Sequence, residues 1–449
     1  MGQPQLRFFM KSLLSLLALG ILAARLGGEP AEAAAALRGG LSLDDCLQLA
    51  SEKQPQLAAA QAGIAAAREG VGEARTAWYP QFDLSAGYHR WQRRAYLPAG
   101  LLPAGRTAPT VLGPQDDWNG GATARYTLYD FGERRATIEA AAARVASAES
   151  DADTARSAVR LGVRTAFYAL AAANDLREVA GRNVARLEEH VRLATARHEA
   201  GAVPHADVLR TRAELASAKL ELISADNRVR IAGGRLNTAL GRPAETPLTI
   251  TAPAPDTIAA PVDPAAGVAQ ALKRRPELQA AEKQVAAVGA QLAAARSTRA
   301  PRLRADGSFG WRDDAFLPET QEWQAGVTVE VPLFDAGLRS RRIAHSRADL
   351  ARQNALREQR ELQVREEVWT AASDLERARA AITANEALVQ QSDESLRVTR
   401  ARYEAGSSTI TDLLDTQIAL ARAEASLAGA RWDVLAARAV YARACGTVE

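Results

Sequence analysis

Apolar residues return at alternating steps of three and four over long stretches of the chain. Leu414, Ile418, Ala421, Ala425, Ala428, Trp432, Leu435 and Ala439 form one such line. Val364, Val368, Ala371, Leu375, Ala378 and Ile382 form another, and Ala180, Val184, Leu187, Val191 and Ala194 a third. This is the a/d seam of coiled-coil packing, with arginine and glutamate on the other faces and alanine permitting close backbone approach. Residues 115–203, 205–242 and 333–449 contain no proline. Because proline in a helix interior costs about 3 kcal/mol, these spans can run as helices of unusual length. Residues 133–200 and 338–405 predict two helices of about 100 Å each, at about 1.5 Å per residue. Shorter helices are expected at 43–77, 205–241, 266–299 and 410–445, and two of these end to end match one long helix. The turns Gly201-Ala202-Val203-Pro204 and Gly406-Ser407-Ser408-Thr409 reverse the chain at one end.

Four short segments have period two instead. Phe82, Leu84, Ala86 and Tyr88 alternate with Gln81, Asp83, Ser85 and Gly87; Ala122, Ala124, Tyr126 and Leu128 alternate with Thr123, Arg125 and Thr127. Leu303, Ala305, Phe309 and Trp311 alternate with Arg304, Asp306 and Ser308; Trp323, Ala325, Val327, Val329 and Val331 alternate with Gln324, Thr328 and Glu330. Such runs predict strands with one apolar and one polar face. Tyr88, Trp91, Trp118, Trp311 and Trp323, with Tyr129 and Phe334, gather toward the strand ends, as interfacial aromatics do. A soluble hairpin shows the same alternation, so the membrane reading leans on the context of the strands.

That context is a duplication. Residues 54–91 align with 275–312 at an offset of 221, placing Gln54-Pro55-Gln56-Leu57 on Arg275-Pro276-Glu277-Leu278 and Pro80 on Pro301. From about residue 129 the offset is 205: Tyr129-Asp130-Phe131-Gly132 falls on Phe334-Asp335-Ala336-Gly337, Glu199-Ala200-Gly201 on Glu404-Ala405-Gly406, and Asp207 on Asp412. The change of offset predicts a longer loop near 92–117 in the first copy. The chain therefore divides into an N-terminal segment at 1–36, a first repeat at 37–242, a linker at 243–264 and a second repeat at 265–449.

Arg7 and Lys11 precede an apolar run from Leu13 to Ala24, which suits an export signal better than a spanning helix. Small residues at Ala31–Ala36 offer cleavage sites, and an uncleaved anchor is the other reading. With no later helix-length apolar stretch, entry into a membrane falls to the strands. Four strands cannot close, and an open edge in lipid strands backbone groups at several kcal/mol each. Several copies must share one barrel: two would give eight strands, three twelve, and twelve leaves more room for a lumen.

Composition mainly excludes. Hydrophobic residues are 47% of the 449, but aromatics only 5%, so close-packed helices fit better than a thick core. The 56 basic and 53 acidic residues leave a formal charge of +3, which lends nucleic-acid binding no support. Two cysteines, two methionines and five scattered histidines argue against a metal or haem protein, and no cofactor is expected. There is no nucleophile with a base and no phosphate-binding glycine loop, so an enzyme is not expected. His198-Glu199 and His205 have the wrong spacing for a zinc helix, with Pro204 between them. Cys46 and Cys445 could pair where helix ends meet, but separate buried thiols are the favoured reading. The linker from Pro243 is expected to add a small strand at mid-length.

The whole plan resembles the TolC-like outer-membrane efflux family. The carriers are Leu41-Ser42-Leu43-Asp44-Asp45-Cys46-Leu47 with Pro55, then Tyr126-Thr127-Leu128-Tyr129-Asp130-Phe131-Gly132 and Val331-Pro332-Leu333-Phe334-Asp335-Ala336-Gly337 with Arg339. The stretch from Tyr403-Glu404-Ala405-Gly406 to Asp412-Leu413-Leu414-Asp415 resembles the family's periplasmic tip. The resemblance implies a mainly α fold with a transmembrane β-barrel: a homotrimer forming a twelve-stranded barrel in the outer membrane of a Gram-negative bacterium, on a helical tunnel through the periplasm. It implies a passive export duct, for efflux or type I secretion, working with a periplasmic adaptor and an inner-membrane pump. It also implies that Asp412 and Asp415, with Tyr403, line a periplasmic gate, although an aspartate at a helix start is favoured by the macrodipole alone. Arg210 stands where the second copy has Asp415, which suggests a structural role for the first tip. Arg197, Gly201, Val203, Arg402, Gly406 and Ser407 are the expected adaptor-docking positions. A periplasmic adaptor with one coiled hairpin, or a soluble coiled-coil scaffold, is the competing class. The strands recurring inside a duplicated helical plan disfavour both.

Overall fold

The computed structural model describes residues 40–91, 95–96, 111–112, 116–252 and 262–447. The expected export signal and the middle of the 243–264 linker lie outside the described residues. Eight helices are described: α1 (Leu43–Lys53), α2 (Pro55–Thr76), α3 (Glu133–Glu199), α4 (His205–Ala239), α5 (Pro264–Arg274), α6 (Pro276–Ser297), α7 (Leu338–Glu404) and α8 (Ile410–Ala444). The strands are β1 (Gln81–Arg90), β2 (Ala95–Tyr96), β3 (Val111–Leu112), β4 (Asp116–Tyr129), β5 (Arg302–Asp313) and β6 (Gln321–Glu330). Helix lengths repeat from copy to copy: 11, 22, 67 and 35 residues.

The helices expected at 43–77 and 266–299 are each two. Pro55 and Pro276 lack the N–H that an uninterrupted helix needs, and they push the preceding residue out of helical space. Gln54 (ψ 116°) and Arg275 (ψ 120°) are accordingly extended. The kinks have a use. The Gln54 amide donates to Thr238 O at 3.3 Å and Ala239 O at 2.9 Å, and the Arg275 guanidinium donates to Ala444 O at 3.3 Å. Each kinked side chain thus satisfies free carbonyls at the end of its copy's returning helix. Gly241, at φ +74°, completes the first of these junctions; a Cβ there would stand 2.6 Å from Lys53 O.

Near the sheet the helices neighbour one another in the order α2, α3, α6, α7; toward the tips the order is α4, α3, α8, α7. The half-length helices thus succeed each other along the long ones. Val364, Val368, Ala371, Leu375, Ala378 and Ile382 are all buried, as the spacing predicts. On α8 the most buried line runs through Leu413, Leu420, Ala423 and Val434, beside the predicted one. That helix packs against both α3 and α7, so two seams share its surface. No helix among the described residues is long and apolar enough to cross a membrane. In the linker, the described part adds one parallel bridge, Leu41 to Ile250.

Candidate functional site: the sheet and the paired helical tips

The four long strands form one antiparallel sheet, in the order β1-β4-β5-β6. Register puts the alternating sets in line. Phe82, Ala124 and Gly307 stand side by side, as do Leu84, Ala122, Phe309 and Trp323. Phe82, Leu84, Trp323, Val327 and Val329 are exposed, so one face of the sheet is bare and apolar. The other face carries ion pairs: Asp83–Arg125 at 2.5 Å, Arg304–Glu330 at 3.1 Å and Arg312–Asp117 at 2.6 Å. Outer strands β1 and β6 each have one edge with no strand on it among the described residues.

Of the seven aromatics singled out from the sequence, Tyr88, Trp91, Trp118, Trp311 and Trp323 lie at the end of the sheet farther from the helices. Tyr88 packs on Trp118 (ring centroids 4.4 Å apart), and Trp311 meets Phe309 edge-on at 5.2 Å. Trp91 donates to the Asp117 carboxylate at 3.1 Å. Trp323 stands opposite Phe309 in the register. A second group marks the helical end: Trp78, Tyr79, Tyr129, Phe131 and Phe334, all exposed. Trp78 and Tyr79 were not singled out, since they precede the first alternating residue.

Each strand-to-helix corner is built by the motif that recurs in sequence. Phe131 (φ 51°) with Gly132 (φ 92°), and Ala336 (φ 52°) with Gly337 (φ 84°), take consecutive left-handed conformations that redirect the chain. The aspartate before them holds the corner. Asp130 accepts from the Gly132 N–H at 3.2 Å, the Arg134 N–H at 3.1 Å and Arg134 Nε at 2.7 Å. Asp335 repeats this with Gly337 and Arg339 at 2.8–3.1 Å. Arg134 also donates to Ala77 O and Leu128 O, and its guanidinium lies 4.1 Å over the Trp78 ring. Sequence reading named Arg339 and missed Arg134, which the same offset of 205 would have found.

At the opposite end the two tips share a turn. The Ala202 N–H donates to Arg197 O and the Ser407 N–H to Arg402 O, both at 2.8 Å, around Gly201 (φ +73°) and Gly406 (φ +74°). Beyond that they diverge. Arg197 leaves its own tip, donating to Tyr403 O at 3.0 Å and Glu404 O at 2.8 Å, with its guanidinium 4.9 Å from the Tyr403 ring centre. Arg210 likewise crosses to the Thr411 hydroxyl. Arg402 stays at home, 3.5 Å from Ser407 O. Val203 accepts from His198 Nδ1 at 3.0 Å, and the His198 and His205 rings lie 5.2 Å apart.

The three gate candidates separate. Tyr403 is 4% exposed, packed with Val184, Leu187, Ile410, Leu413 and Leu414, its hydroxyl without a hydrogen-bond partner. Asp412 closes a capping box: it accepts from the Thr409 N–H at 3.0 Å and the Ser408 hydroxyl at 2.9 Å, and its own N–H donates to Thr409 Oγ1. Bonds from the Thr409 backbone and side chain hold its carboxyl below the usual carboxylate range. Asp415 is exposed and makes no hydrogen bond or ion pair among the described residues.

Cys46 and Cys445 are separate buried thiols, and burial pushes Cys46 up to about 11.

A duct-like class is thereby defined: amphipathic strands joined by tight corners to a wall of long helices lying side by side. Comparison with known proteins gives the family. Residues 46–242 and 267–447 match the outer membrane efflux protein family. CyaE of Bordetella pertussis is 30% identical over 389 residues, covering 84% of this chain and 78% of that protein. The pyoverdine export outer membrane protein OpmQ of Pseudomonas aeruginosa is 26% identical, with 86% and 81% covered. Among solved structures, the outer-membrane channel OprN superposes with a TM-score of 0.78 at 23% identity, covering 90% of both chains. VceC of Vibrio cholerae superposes at 0.75 and 20%, covering 90% of this chain and 96% of that one. The chain belongs to the outer membrane efflux protein family, and it is an outer-membrane channel protein of efflux or secretion.

Proposed function

We propose that three copies complete one twelve-stranded barrel, and that the trimer is the passive outer-membrane duct of a tripartite pump. The observation that carries this is the sheet: an apolar face, a charged face and two open edges in one chain. In lipid those edges need partners. The β1 edge of one copy paired with the β6 edge of the next keeps every neighbour antiparallel, because β1 and β6 run in opposite directions here. The bare apolar face then meets lipid, banded by aromatics at both ends, and the ion-paired face lines the lumen. Energy for transport comes from an inner-membrane pump, and a periplasmic adaptor joins the two. Cysteines at Ser85 and Gln324, one on each edge strand and both on the ion-paired face, should crosslink between chains and give a trimer in detergent. A monomer with no intermolecular crosslink defeats the reading.

The tips are the proposed periplasmic entrance, with Asp415 facing the opening. Three copies form a ring that attracts cations. Asp412 divides its role between the ring and its helix cap, so the two aspartates should separate in experiment. Asp415→Ala should change single-channel conductance and divalent-cation block without loosening the helix. Asp412→Ala should do both. Unchanged conductance in the double variant removes the gate from this place. Grooves beside Gly201, Val203, Gly406 and Ser407 are the proposed adaptor seats. Arg197 and Arg402 flank them, with Arg402 the freer to meet an adaptor.

A further inference from the structure

A recess of about 380 Å³ opens midway along the tunnel wall, where α3 meets the α5–α6 kink and the end of α8. Six arginines line it: Arg156, Arg160, Arg164, Arg274, Arg275 and Arg443. Among the described residues two carboxylates, Asp153 and Glu277, share the lining, and Glu367 pairs with Arg275 beside it at 2.7 Å. Asp153 is taken up by Arg156. Glu277 is taken up by Arg275 at 3.0 Å and Arg443 at 3.2 Å. Burial opposes the charge on Glu277, but the Arg275 hydrogen bonds, a bond from its own backbone and the charges of Arg275 and Arg443 together keep the carboxyl below its usual range. Arg160 and Arg274 are exposed and have no ion-pair partner among the described residues. Arg443 keeps a buried Nε–H with no hydrogen-bond acceptor among the described residues.

The duplication supplies an internal control. At the matching place in the first copy Arg274, Arg275 and Arg443 become Lys53, Gln54 and Thr238, and Glu277 becomes Gln56. Gln54 performs the same cap on the returning helix as Arg275 does. The cap at this junction therefore does not require a guanidinium group, and the exposed Arg160 and Arg274 take no part in it.

We propose that this recess binds a soluble, multiply charged oxyanion of the phosphate type, one per chain. Guanidinium forks match the oxygens of such anions in pairs, and several of them around one concavity discriminate by charge number. The volume falls in the range of small-molecule sites. A lipid headgroup is not the occupant: Arg160 lies 27 residues along α3 from Glu133, about 40 Å from the sheet at about 1.5 Å per residue. The site lies on the seam between the two copies, where α3 meets α6 and α8, away from the free sheet edges through which neighbouring copies join.

The test is calorimetric titration of the detergent-solubilised oligomer with sodium pyrophosphate, at fixed ionic strength so that general screening is constant. Saturable binding at one per chain is expected. Arg160→Gln combined with Arg274→Gln should weaken it at least about tenfold, and neither residue supports the fold through an ion pair. Arg357→Gln removes an equally exposed arginine elsewhere on α7 and should leave affinity unchanged. Binding that does not saturate, or that falls equally in the Arg357 variant, reflects diffuse surface charge and overturns the site. An unaltered oligomer mass in all variants keeps a folding defect from imitating either result.

Discussion

The two helical tips are built on one turn, yet they are held by different means. The second is self-sufficient: Thr409 and Asp412 cap α8, and Tyr403 anchors α7 in an apolar cluster. The first has Pro204 at the cap, with no side-chain bond to the helix, and a pair of histidines where the second has Tyr403 and Ile410. What it has in addition is reach, since Arg197 and Arg210 both bond to the second tip. Duplicated elements can thus share a backbone while one copy becomes the anchor and the other the strap. Tips held this way are asymmetric, because the strap's bonds end on the second tip while the cap's bonds stay within their own turn.

The sharpest break in that comparison is at the anchor. Tyr403→Ala should empty a buried aromatic site and cost about 3–5 kcal/mol of local stability. Its counterpart His198→Ala, whose ring is half-buried and packs on its own loop, should cost about 1 kcal/mol or less. Hydrogen exchange along residues 396–417 and 193–211 of the solubilised oligomer measures both. Equal losses at the two tips would mean that Tyr403 is not an anchor.

The strap comes next. Arg197→Ala removes two charge-assisted bonds to the end of α7, worth about 2 kcal/mol together after competition with water. Arg402→Ala, at the matching position, should change exchange by less than about 0.5 kcal/mol. The diagnostic feature is location: the Arg197 variant, though altered in the first hairpin, should lose protection in the second. Thr409→Ala should cost about 1 kcal/mol, as cap removal does elsewhere, and confine its effect to the first turns of α8.

Much of this asymmetry was hidden in the sequence, and for a physical reason. Periodicity reports which face of an element is buried, so the long helices, the alternating strands and the two turns could be read from residue order. The corner motif was also legible, because Asp130 and Asp335 act on residues two and four positions ahead. Arg197 acts on residues more than two hundred positions away, and nothing in the local pattern separates it from Arg402. Tyr403 could be carried over from the family resemblance as a gate residue, but its burial depends on which helices surround it. The breaks at Pro55 and Pro276 were overlooked because the apolar spacing continues through them; the missing N–H ends the helix regardless of what the side chains prefer. The arginine recess was invisible because its lining comes from α3, α5, α6 and α8.

The smallest predicted effect concerns pH. His190 on α3 is buried, whereas Ser395, its counterpart on α7, is exposed. Burial lowers the His190 pKa; a bond with Gln417 of α8 and the charge of Glu189 raise it, and Arg400 of α7 lowers it further. With the folded value below the unfolded one, near 6.5, the unfolded state binds the extra proton first. Stability is therefore complete above pH 6.5 and declines as the pH falls through that value toward the folded pKa. The loss should be at most about 0.8 kcal/mol at pH 6.0, concentrated where α3 meets α8, and it should vanish in His190→Gln. Because Ser395 does not titrate, acid should loosen the first hairpin before the second, which is the order expected if the strap yields first. Equal acid sensitivity in the His190→Gln variant would place the titrating group elsewhere and remove pH from the list of differences between the tips.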